Sequence, residues 1–261
     1  MQSAIGELIT GCDDGYTSVA ALTVPEMRRY AERHGLAFSF TQFTARERAP
    51  AWSKIIAIKE ALLRGSDPVI WIDADALIVR PERDIRDSTD LGKDILVGPR
   101  FNTGILLIRN TPWSLWFLDK VWNNQLVPEH GTWDNAAFVY TLGYRHRLGR
   151  GEPDRPDEMI LSHIGRLDRR WNCVTLISPA GGAFIRHYAG LPIAARASLI
   201  RRDLALPGYG YVAAPFSRMA LHFASFDERM KQKASTARLP GWYNGRRLAG
   251  RALRALLLPV L

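Results

Sequence analysis

The segment from Val69 to Val79, VIWIDADALIV, constrains the fold of this chain more than any other. Its first four residues, Val69–Ile72, predict a strand buried on both faces, because both alternating sets of side chains are apolar. Asp73 and Asp75 then interrupt the apolar run, although carboxylates are rarely buried unless their charge is compensated. If the strand continues through its tip, residues two apart point to the same side, so both carboxylates face one point. The pattern predicts a divalent cation held by hard oxygen ligands, with turn-capping or solvent-facing acids as the alternative.

Patterns typical of strands and helices alternate along the chain up to about Gly151. Strands are predicted at Ile5–Thr10, Leu36–Phe40, Ile95–Gly98 and Gly104–Ile108. Helices are predicted at Val24–His34, with Pro25 near the first turn, at Ser53–Arg64, with Ser53 as the N-cap, at Trp113–Asn124 and at Asp134–Leu142. The alternation predicts an α/β fold with a Rossmann-like, mostly parallel sheet and helices on both faces. Ligands of such sheets bind beyond the carboxyl ends of the strands, where Asp73 and Asp75 are expected.

Length and charge limit the classes of protein that this chain can represent. Its 261 residues, of which 47% are hydrophobic, suffice for one larger α/β domain or one domain with a small appendage. The net charge of +9 predicts acidic partners, such as nucleotide phosphates or anionic lipid. Nucleic acid is not expected as a partner, because the basic residues are scattered and form no recognisable reading module.

Cysteine use and hydrophobic patterning favour the cytoplasm. Cys12 and Cys173 lie far apart without metal-ligand spacing, which fits a reduced protein and leaves a single disulfide as the alternative. The first residues lack the pattern of a signal peptide, and no apolar run approaches the roughly 20 residues that span a bilayer. We therefore expect a cytoplasmic protein that is soluble or peripheral on the inner face of the membrane.

Seven stretches together resemble one family of enzymes in their order and separations. They are Tyr30–Gly35, Trp52–Leu63, Trp71–Val79, Phe101–Trp122, Thr132–Tyr140, Arg170–Asn172 and Phe184–Gly190. The family is that of the galactosyltransferases and mannosyltransferases, which includes fungal α-1,6-mannosyltransferases and plant xyloglucan xylosyltransferases. The resemblance implies the GT-A fold and retaining transfer of a hexose or pentose from a UDP- or GDP-linked sugar to a glycan or glycolipid hydroxyl.

The resemblance assigns a metal site and a reaction site. Asp73 and Asp75 match the family's Asp-X-Asp (DxD) pair, and His187 matches the histidine that supplies a third ligand to Mn²⁺ or Mg²⁺. A neutral imidazole beside two carboxylates suits Mn²⁺; the alternative for His187 is a buried histidine bonded to a backbone carbonyl. Asp134 and Asn135 match an acidic-amide pair that faces the reacting sugar, although the family more often has glutamine at the second position. The alternative for Asp134 is a helix N-terminal acid favoured by the helix dipole.

The resemblance also assigns a nucleotide-sugar site. Its residues are Thr10, Tyr16, Lys54, Asp73, Ala74, Asn102, Thr103, Gly104 and Gly190. Thr10 and Tyr16 are placed to contact the base and ribose, and Lys54 matches a basic residue near the phosphates or, alternatively, a solvated lysine at a helix start. Asn102 to Gly104 match a step that lies against the donor sugar, with an ordinary strand entrance as the alternative. Relatives often carry a further diphosphate-contacting lysine, which this chain lacks, so Arg196 or a residue of the basic tail would replace it.

No side chain is an evident nucleophile for double displacement, which favours a front-face reaction assisted by the metal. Asp134 would then stabilise oxocarbenium charge or orient donor hydroxyls. Within the transferases, the alternative is a glycogenin-like retaining enzyme. A metal-dependent nucleotidyltransferase is less favoured, because it would show a basic, glycine-rich phosphate loop where this chain has the acidic Gly11–Ser18.

The chain is expected to divide into a GT-A catalytic domain over residues 1–195 and a basic, helical extension over residues 196–261. Arg247, Arg251 and Arg254, here called the arginine stripe, fall on one side of a predicted helix, with leucines roughly opposite. Such a helix would lie on an anionic membrane surface or, alternatively, pack its leucines on the catalytic domain.

Overall fold

The computed structural model describes residues 5–43, 48–88, 90, 92–124, 132–145, 152–175 and 182–205. The arginine stripe and most of the predicted extension lie outside the described residues. Within them, no helix is long and apolar enough to cross a membrane. Cys12 and Cys173 are both buried free thiols, so the structure excludes the disulfide alternative.

Two sheets form the centre of the fold. The strands are β1 (Glu7–Cys12), β2 (Ala37–Gln42), β3 (Val69–Ile72), β4 (Ala76–Ile78), β5 (Ile95–Val97), β6 (Ile105–Ile108), β7 (Ile164–Arg166), β8 (Cys173–Val174) and β9 (Ile185–His187). The larger sheet has the order β2-β1-β3-β6-β5-β7, and three of its five neighbouring pairs are parallel. The smaller sheet has the order β4-β9-β8.

Helices cover both faces of the larger sheet. They are α1 (Thr17–Arg33), α2 (Ser53–Leu63), α3 (Pro112–Trp122), α4 (Trp133–Thr141), α5 (Glu158–Ser162) and α6 (Ile193–Ala205). Val69 and Trp71 of β3 belong to the core that includes residues of α2, α3 and α4, whereas Ile70 and Ile72 belong to the core that includes residues of α1. The double-sided burial of β3 and the mixed α/β architecture are therefore confirmed.

Two predicted helix starts differ from the observed ones. Helix α1 begins at Thr17 rather than Val24, so Pro25 lies inside the helix and not in its first turn. The added turns bury Val19, Ala20 and Thr23, and this packing offsets the hydrogen bond that proline cannot donate. Ser53 is the first residue of α2 rather than its cap, because a 3-10 turn over Pro50–Trp52 leads directly into the helix.

From the sequence, the strand was expected to continue through the acidic segment. The structure shows that it does not. Strand β3 ends at Ile72, residues 73–75 turn, and β4 joins the smaller sheet. The backbone N–H of Ala76 donates to the Asp73 carbonyl at 2.9 Å, which closes this turn. The two carboxylates are therefore brought together by a turn, not by the alternation of side chains along a strand.

Candidate active site

Pairing between distant strands places an imidazole beside the acidic turn. Strand β4 runs antiparallel to β9, and Ala76 lies opposite His187 in this register. The Nε2 atom of His187 lies 3.3 Å from Oδ1 of Asp75 and 3.7 Å from Oδ2 of Asp73. One ligand atom from each of these three residues lies within 4.8 Å of the others, a spacing that could hold one metal ion. The three residues predicted as metal ligands thus converge.

The two carboxylates differ in exposure. The side chains of Asp75 and His187 are 8% and 2% exposed, whereas the Asp73 side chain is 25% exposed. A ligand therefore reaches the cluster from the Asp73 side. The Asp73 backbone N–H donates to the Gly104 carbonyl at 2.8 Å, which fixes this edge of the site against the entrance to β6.

Arg196, from helix α6, neutralises part of the charge at Asp75. Its Nη1 lies 3.0 Å from Oδ2 of Asp75, and the same atom donates to the Tyr16 hydroxyl. Burial opposes ionisation of Asp75, but the adjacent His187 and Arg196 hold its pKa well below the ordinary value. The Nε atom of Arg196 is buried and has no hydrogen-bond partner among the described residues. Arg196 therefore joins Tyr16 to the three predicted metal ligands, Asp73, Asp75 and His187, here called the metal-ligand cluster.

Lys54 lies deep in the site, where it links the cluster to a third carboxylate. Its Nζ is 2.9 Å from Oδ1 of Asp73 and 3.0 Å from Oδ2 of Asp134. Burial disfavours its charge, but Asp134 and Asp73 hold the pKa of Lys54 above its ordinary value. Only 4% of the residue is exposed, which excludes the alternative of a solvated helix-start lysine.

Asp134 and Asn135 lie in the first turn of helix α4 and contact the entrance to β6. The Thr103 hydroxyl donates to Oδ2 of Asp134 at 2.9 Å, and the Thr103 backbone N–H donates to Oδ1 of Asn135 at 3.1 Å. Burial is the main cause of a raised pKa at Asp134, with the negative charge of Asp73 adding to it. Asp134 is therefore both a helix N-terminal acid and a member of the site.

Asn102 and Gly104 lie between the Asp134–Asn135 pair and His187. Oδ1 of Asn102 accepts from the Gly104 N–H at 3.0 Å and from Nδ2 of Asn172 at 2.8 Å. A β-carbon added to Gly104 would lie 2.1 Å from Cε1 of His187, so this position tolerates no side chain without displacement of the imidazole. The predicted Asn102–Gly104 step therefore packs directly on the predicted metal ligand.

The remaining predicted residues lie around the acidic turn or behind it. Thr10 is fully buried within β1, and its hydroxyl has no hydrogen-bond partner among the described residues. Ala74 is buried beside Cys12, with Tyr16 packed against that cluster. Gly190 follows β9 with a φ of 78°, a backbone conformation that favours glycine. Contacts of these residues with a base, ribose or sugar remain predictions.

Two residues of the site were given no role by the sequence. The Trp71 indole N–H donates to Oδ1 of Asp73 at 2.6 Å, and Oδ1 of Asn172 lies 2.9 Å from Nδ1 of His187. Asn172 belongs to one of the stretches that carry the family resemblance, which was the available signal. Trp71 begins another of these stretches, but its own pattern indicated only a buried strand residue.

Part of this chain, including several residues of the site, is similar in sequence to known proteins. Residues 11–96, which include Lys54, Asp73 and Asp75, match the model of the galactosyl transferase GMA12/MNN10 family. An uncharacterized alpha-1,2-galactosyltransferase of Schizosaccharomyces pombe is 27% identical over 216 residues, or 64% of this chain and 55% of its own length. A probable glycosyltransferase 6 of Oryza sativa subsp. indica is 27% identical over 181 residues, or 61% of this chain and 35% of its own. The chain thus spans about half or less of the length of these curated relatives.

A solved structure has the same fold. It is a glycosyltransferase involved in the glycosylation of the major capsid of PBCV-1, with a TM-score of 0.60 and 17% sequence identity. The match covers 76% of this chain and 99% of that chain. The resemblance to the galactosyltransferase family and the GT-A glycosyltransferase fold, both predicted from the sequence, are confirmed.

Proposed function

We propose that this chain, similar over residues 11–96 to the galactosyl transferase GMA12/MNN10 family, is a metal-dependent retaining glycosyltransferase. It would move a hexose or pentose from a UDP- or GDP-linked sugar to a hydroxyl of a glycan or glycolipid. The observation that carries the proposal is the convergence of Asp73, Asp75 and His187 at the strand edge where ligands of α/β sheets bind.

The chemistry of the donor set fits Mn²⁺, with Mg²⁺ as the alternative. Two carboxylates supply hard oxygen ligands, and the imidazole adds the nitrogen ligand that Mn²⁺ accepts more readily than Mg²⁺. Asp73, Asp75 and His187 would hold the ion, with Asp73 on the more exposed side. When bound, the cation would supply Lewis-acid stabilisation of the charge that develops on the nucleotide diphosphate.

Arg196 is the side chain that best fits a second contact to that diphosphate. Its guanidinium is held beside Asp75 and Tyr16, and its buried Nε–H has no partner among the described residues. A fixed cation near developing negative charge stabilises a transition state without reorganisation at the moment of reaction. Arg196 would thus replace the lysine that relatives carry after their histidine element.

Asp134 would act on the donor sugar by charge and orientation, not by covalent bonding. Its Oδ2 accepts hydrogen bonds from Lys54 and Thr103, so this oxygen is held in place and its electron pairs are engaged. A fixed carboxylate can stabilise positive charge at an anomeric carbon or accept from a donor hydroxyl. These roles favour the front-face reaction, in which the acceptor oxygen attacks from the side that the diphosphate leaves.

The test is a panel of UDP- and GDP-sugars with the purified full chain. We expect one nucleotide class to raise the melting temperature in Mn²⁺ but not in EDTA, and the matching sugar to be hydrolysed slowly or transferred. Asp73→Ala and His187→Ala should abolish both effects while remaining folded. Asp119→Asn is the matched control, since this carboxylate is half-exposed on α3 and pairs with Lys59. Full Mn²⁺-dependent activity in Asp73→Ala would refute the proposal, and the product's anomeric configuration tests retention.

A further inference from the structure

We infer that Asn172 is a positioning residue that fixes a proton on Nδ1 of His187 and so directs Nε2 toward Asp73 and Asp75. Asn172 ends the 3-10 turn Arg169–Asn172, just before β8, and is 1% exposed. Its hydrogen bonds join the metal-ligand cluster to the entrance of β6. The inference for metal binding rests on the proposed function, whereas the position of the proton does not.

The backbone carbonyl of Asn102 and the backbone N–H of Gly104 together determine how the Asn172 amide is oriented. Nδ2 of Asn172 lies 3.3 Å from the backbone carbonyl oxygen of Asn102, which can only accept. It also lies 2.8 Å from Oδ1 of Asn102, which already accepts from the Gly104 backbone N–H. The nitrogen of the Asn172 amide must therefore face Asn102, because a rotated amide would place two acceptors against each other.

This orientation determines that Nδ1 of His187 carries a proton. With Nδ2 committed to Asn102, Oδ1 of Asn172 faces Nδ1 of His187 at 2.9 Å. An amide oxygen accepts only, so Nδ1 must donate. The other ring nitrogen, Nε2, lies 3.3 Å from Asp75 and is the atom left for a metal. A hydrogen bond at the second nitrogen commonly sets the tautomer of metal-ligating histidines.

Two glycines enclose this arrangement. A β-carbon at Gly98 would lie 2.2 Å from Nδ2 of Asn172, and one at Gly104 would lie 2.1 Å from Cε1 of His187. Both distances are far below van der Waals contact, so the rings and amides are held on each side by backbone. Neither glycine position therefore accepts a side chain unless the Asn172 amide or the His187 ring is displaced.

The oxygen and the nitrogen of the Asn172 amide have different roles, which can be tested separately. The oxygen end supports His187, and the nitrogen end supports Asn102 and the Asn102–Gly104 step. Asn172→Leu removes both ends in a similar volume. Asn172→Asp keeps an acceptor for Nδ1 of His187 but loses the donor to Asn102. A buried Asn172→Asp carboxylate should preserve metal binding, because carboxylate–histidine pairs commonly support metal ligands.

The first measurement is proton position, by NMR of the full chain with isotope-labelled histidine nitrogens. The His187 signals are assigned by their absence in His187→Gln. We expect a proton on Nδ1 in the wild type and in Asn172→Asp, with its signal lost or shifted to Nε2 in Asn172→Leu. The matched control is Asn110→Leu, which removes a side-chain amide bonded to the Leu62 and Ser66 carbonyls at the other end of β6.

The second measurement is Mn²⁺ affinity by titration calorimetry. Loss of support for a ligating histidine typically weakens metal binding about 10- to 100-fold, which is the loss expected in Asn172→Leu. Asn172→Asp and Asn110→Leu should stay within about threefold of wild type. Circular dichroism melting checks that each variant is folded, and Asn172→Asp decides the question if Asn172→Leu does not fold.

The outcomes separate this inference from the proposed function. A wild-type His187 with no proton on Nδ1, or a folded Asn172→Leu with wild-type Mn²⁺ affinity, would overturn the role of Asn172. A folded Asn172→Asp that loses Mn²⁺ binding more than tenfold would also overturn it. If the wild type binds no Mn²⁺ although the proton lies on Nδ1 and moves in Asn172→Leu, the metal proposal fails and the positioning role stands.

Discussion

Replacement of Lys54 by methionine tests whether the buried charges of the site depend on one another. Methionine keeps the length and apolar stem of lysine but removes the ammonium group that lies 2.9 Å from Asp73 and 3.0 Å from Asp134. Asp134 then loses its only cationic partner among the described residues, and its side chain is 6% exposed. Asp73 is less affected, because it is 25% exposed and still accepts from the Trp71 indole.

The expected loss in the free energy of unfolding is about 3–5 kcal/mol, the usual cost of removing one partner from a buried ion pair. Most of this loss should arise at Asp134. The double variant Lys54→Met with Asp134→Asn should therefore recover about 2 kcal/mol relative to the sum of the single variants, because neither charge remains unpaired.

The sign of the pH dependence follows from the raised pKa of Asp134. Burial favours its protonated form in the folded state, so stability decreases as pH rises from the ordinary aspartate value through the raised folded value. Removal of Lys54 should raise that pKa further. The stability deficit of Lys54→Met should accordingly shrink as pH is lowered from 8 to 5, and this shrinkage should be absent when Asp134→Asn is added.

The assay is urea denaturation of the full chain at pH 5 and pH 8, monitored by tryptophan fluorescence, with unfolding free energies from linear extrapolation. Lys59→Met provides the matched control, since it removes a partly exposed lysine of the same helix that pairs with Asp119. The Lys59→Met variant should lower the free energy of unfolding by less than about 1 kcal/mol. A loss below about 1 kcal/mol in Lys54→Met, or strictly additive single variants, would refute the coupling of these charges.

Three further perturbations test other parts of the structure. Gly104→Ala places a β-carbon 2.1 Å from His187, so calorimetry should show roughly tenfold weaker Mn²⁺ binding, whereas Gly92→Ala, with open space around it, should bind as wild type. Asp75→Asn should lose the stability that a depressed carboxyl pKa provides above about pH 3.9. The difference in melting temperature from wild type should therefore narrow as pH falls below that value, and a constant difference would contradict the assignment. Replacement of the three arginines of the arginine stripe by glutamate should abolish co-sedimentation of the protein with anionic liposomes and leave its sedimentation with neutral liposomes unchanged. Unchanged co-sedimentation with anionic liposomes would exclude membrane docking through the arginine stripe.

Local sequence patterns were sufficient for the class of fold. The alternation of strand and helix patterns predicted an α/β fold, and the run Val69–Ile72 predicted a strand buried on both faces, because burial on each face leaves its own periodicity. Element ends were less accurate, as the earlier start of α1 shows. The start depended on residues that pack against distant segments, which local propensity does not report.

The acidic pair shows how a correctly predicted convergence of side chains can arise from a different local geometry. Asp73 and Asp75 were expected to converge by alternation along a strand, but they converge through a turn between two sheets. The sequence identified the residues because an apolar run with two acids is a chemical anomaly wherever it lies. It could not identify the turn, since the departure of β4 is decided by its pairing with β9.

What the sequence by itself determined is therefore the class of fold, the family it resembles and the residue types available for a metal site. Only the tertiary structure decided that Lys54 is buried between Asp73 and Asp134, that Arg196 pairs with Asp75, and that Asn172 supports His187. The physical reason is that periodicity along a chain reports which faces are buried. The partner of a buried polar group is set by the register of strands that lie far apart in sequence, and that register has no local signature.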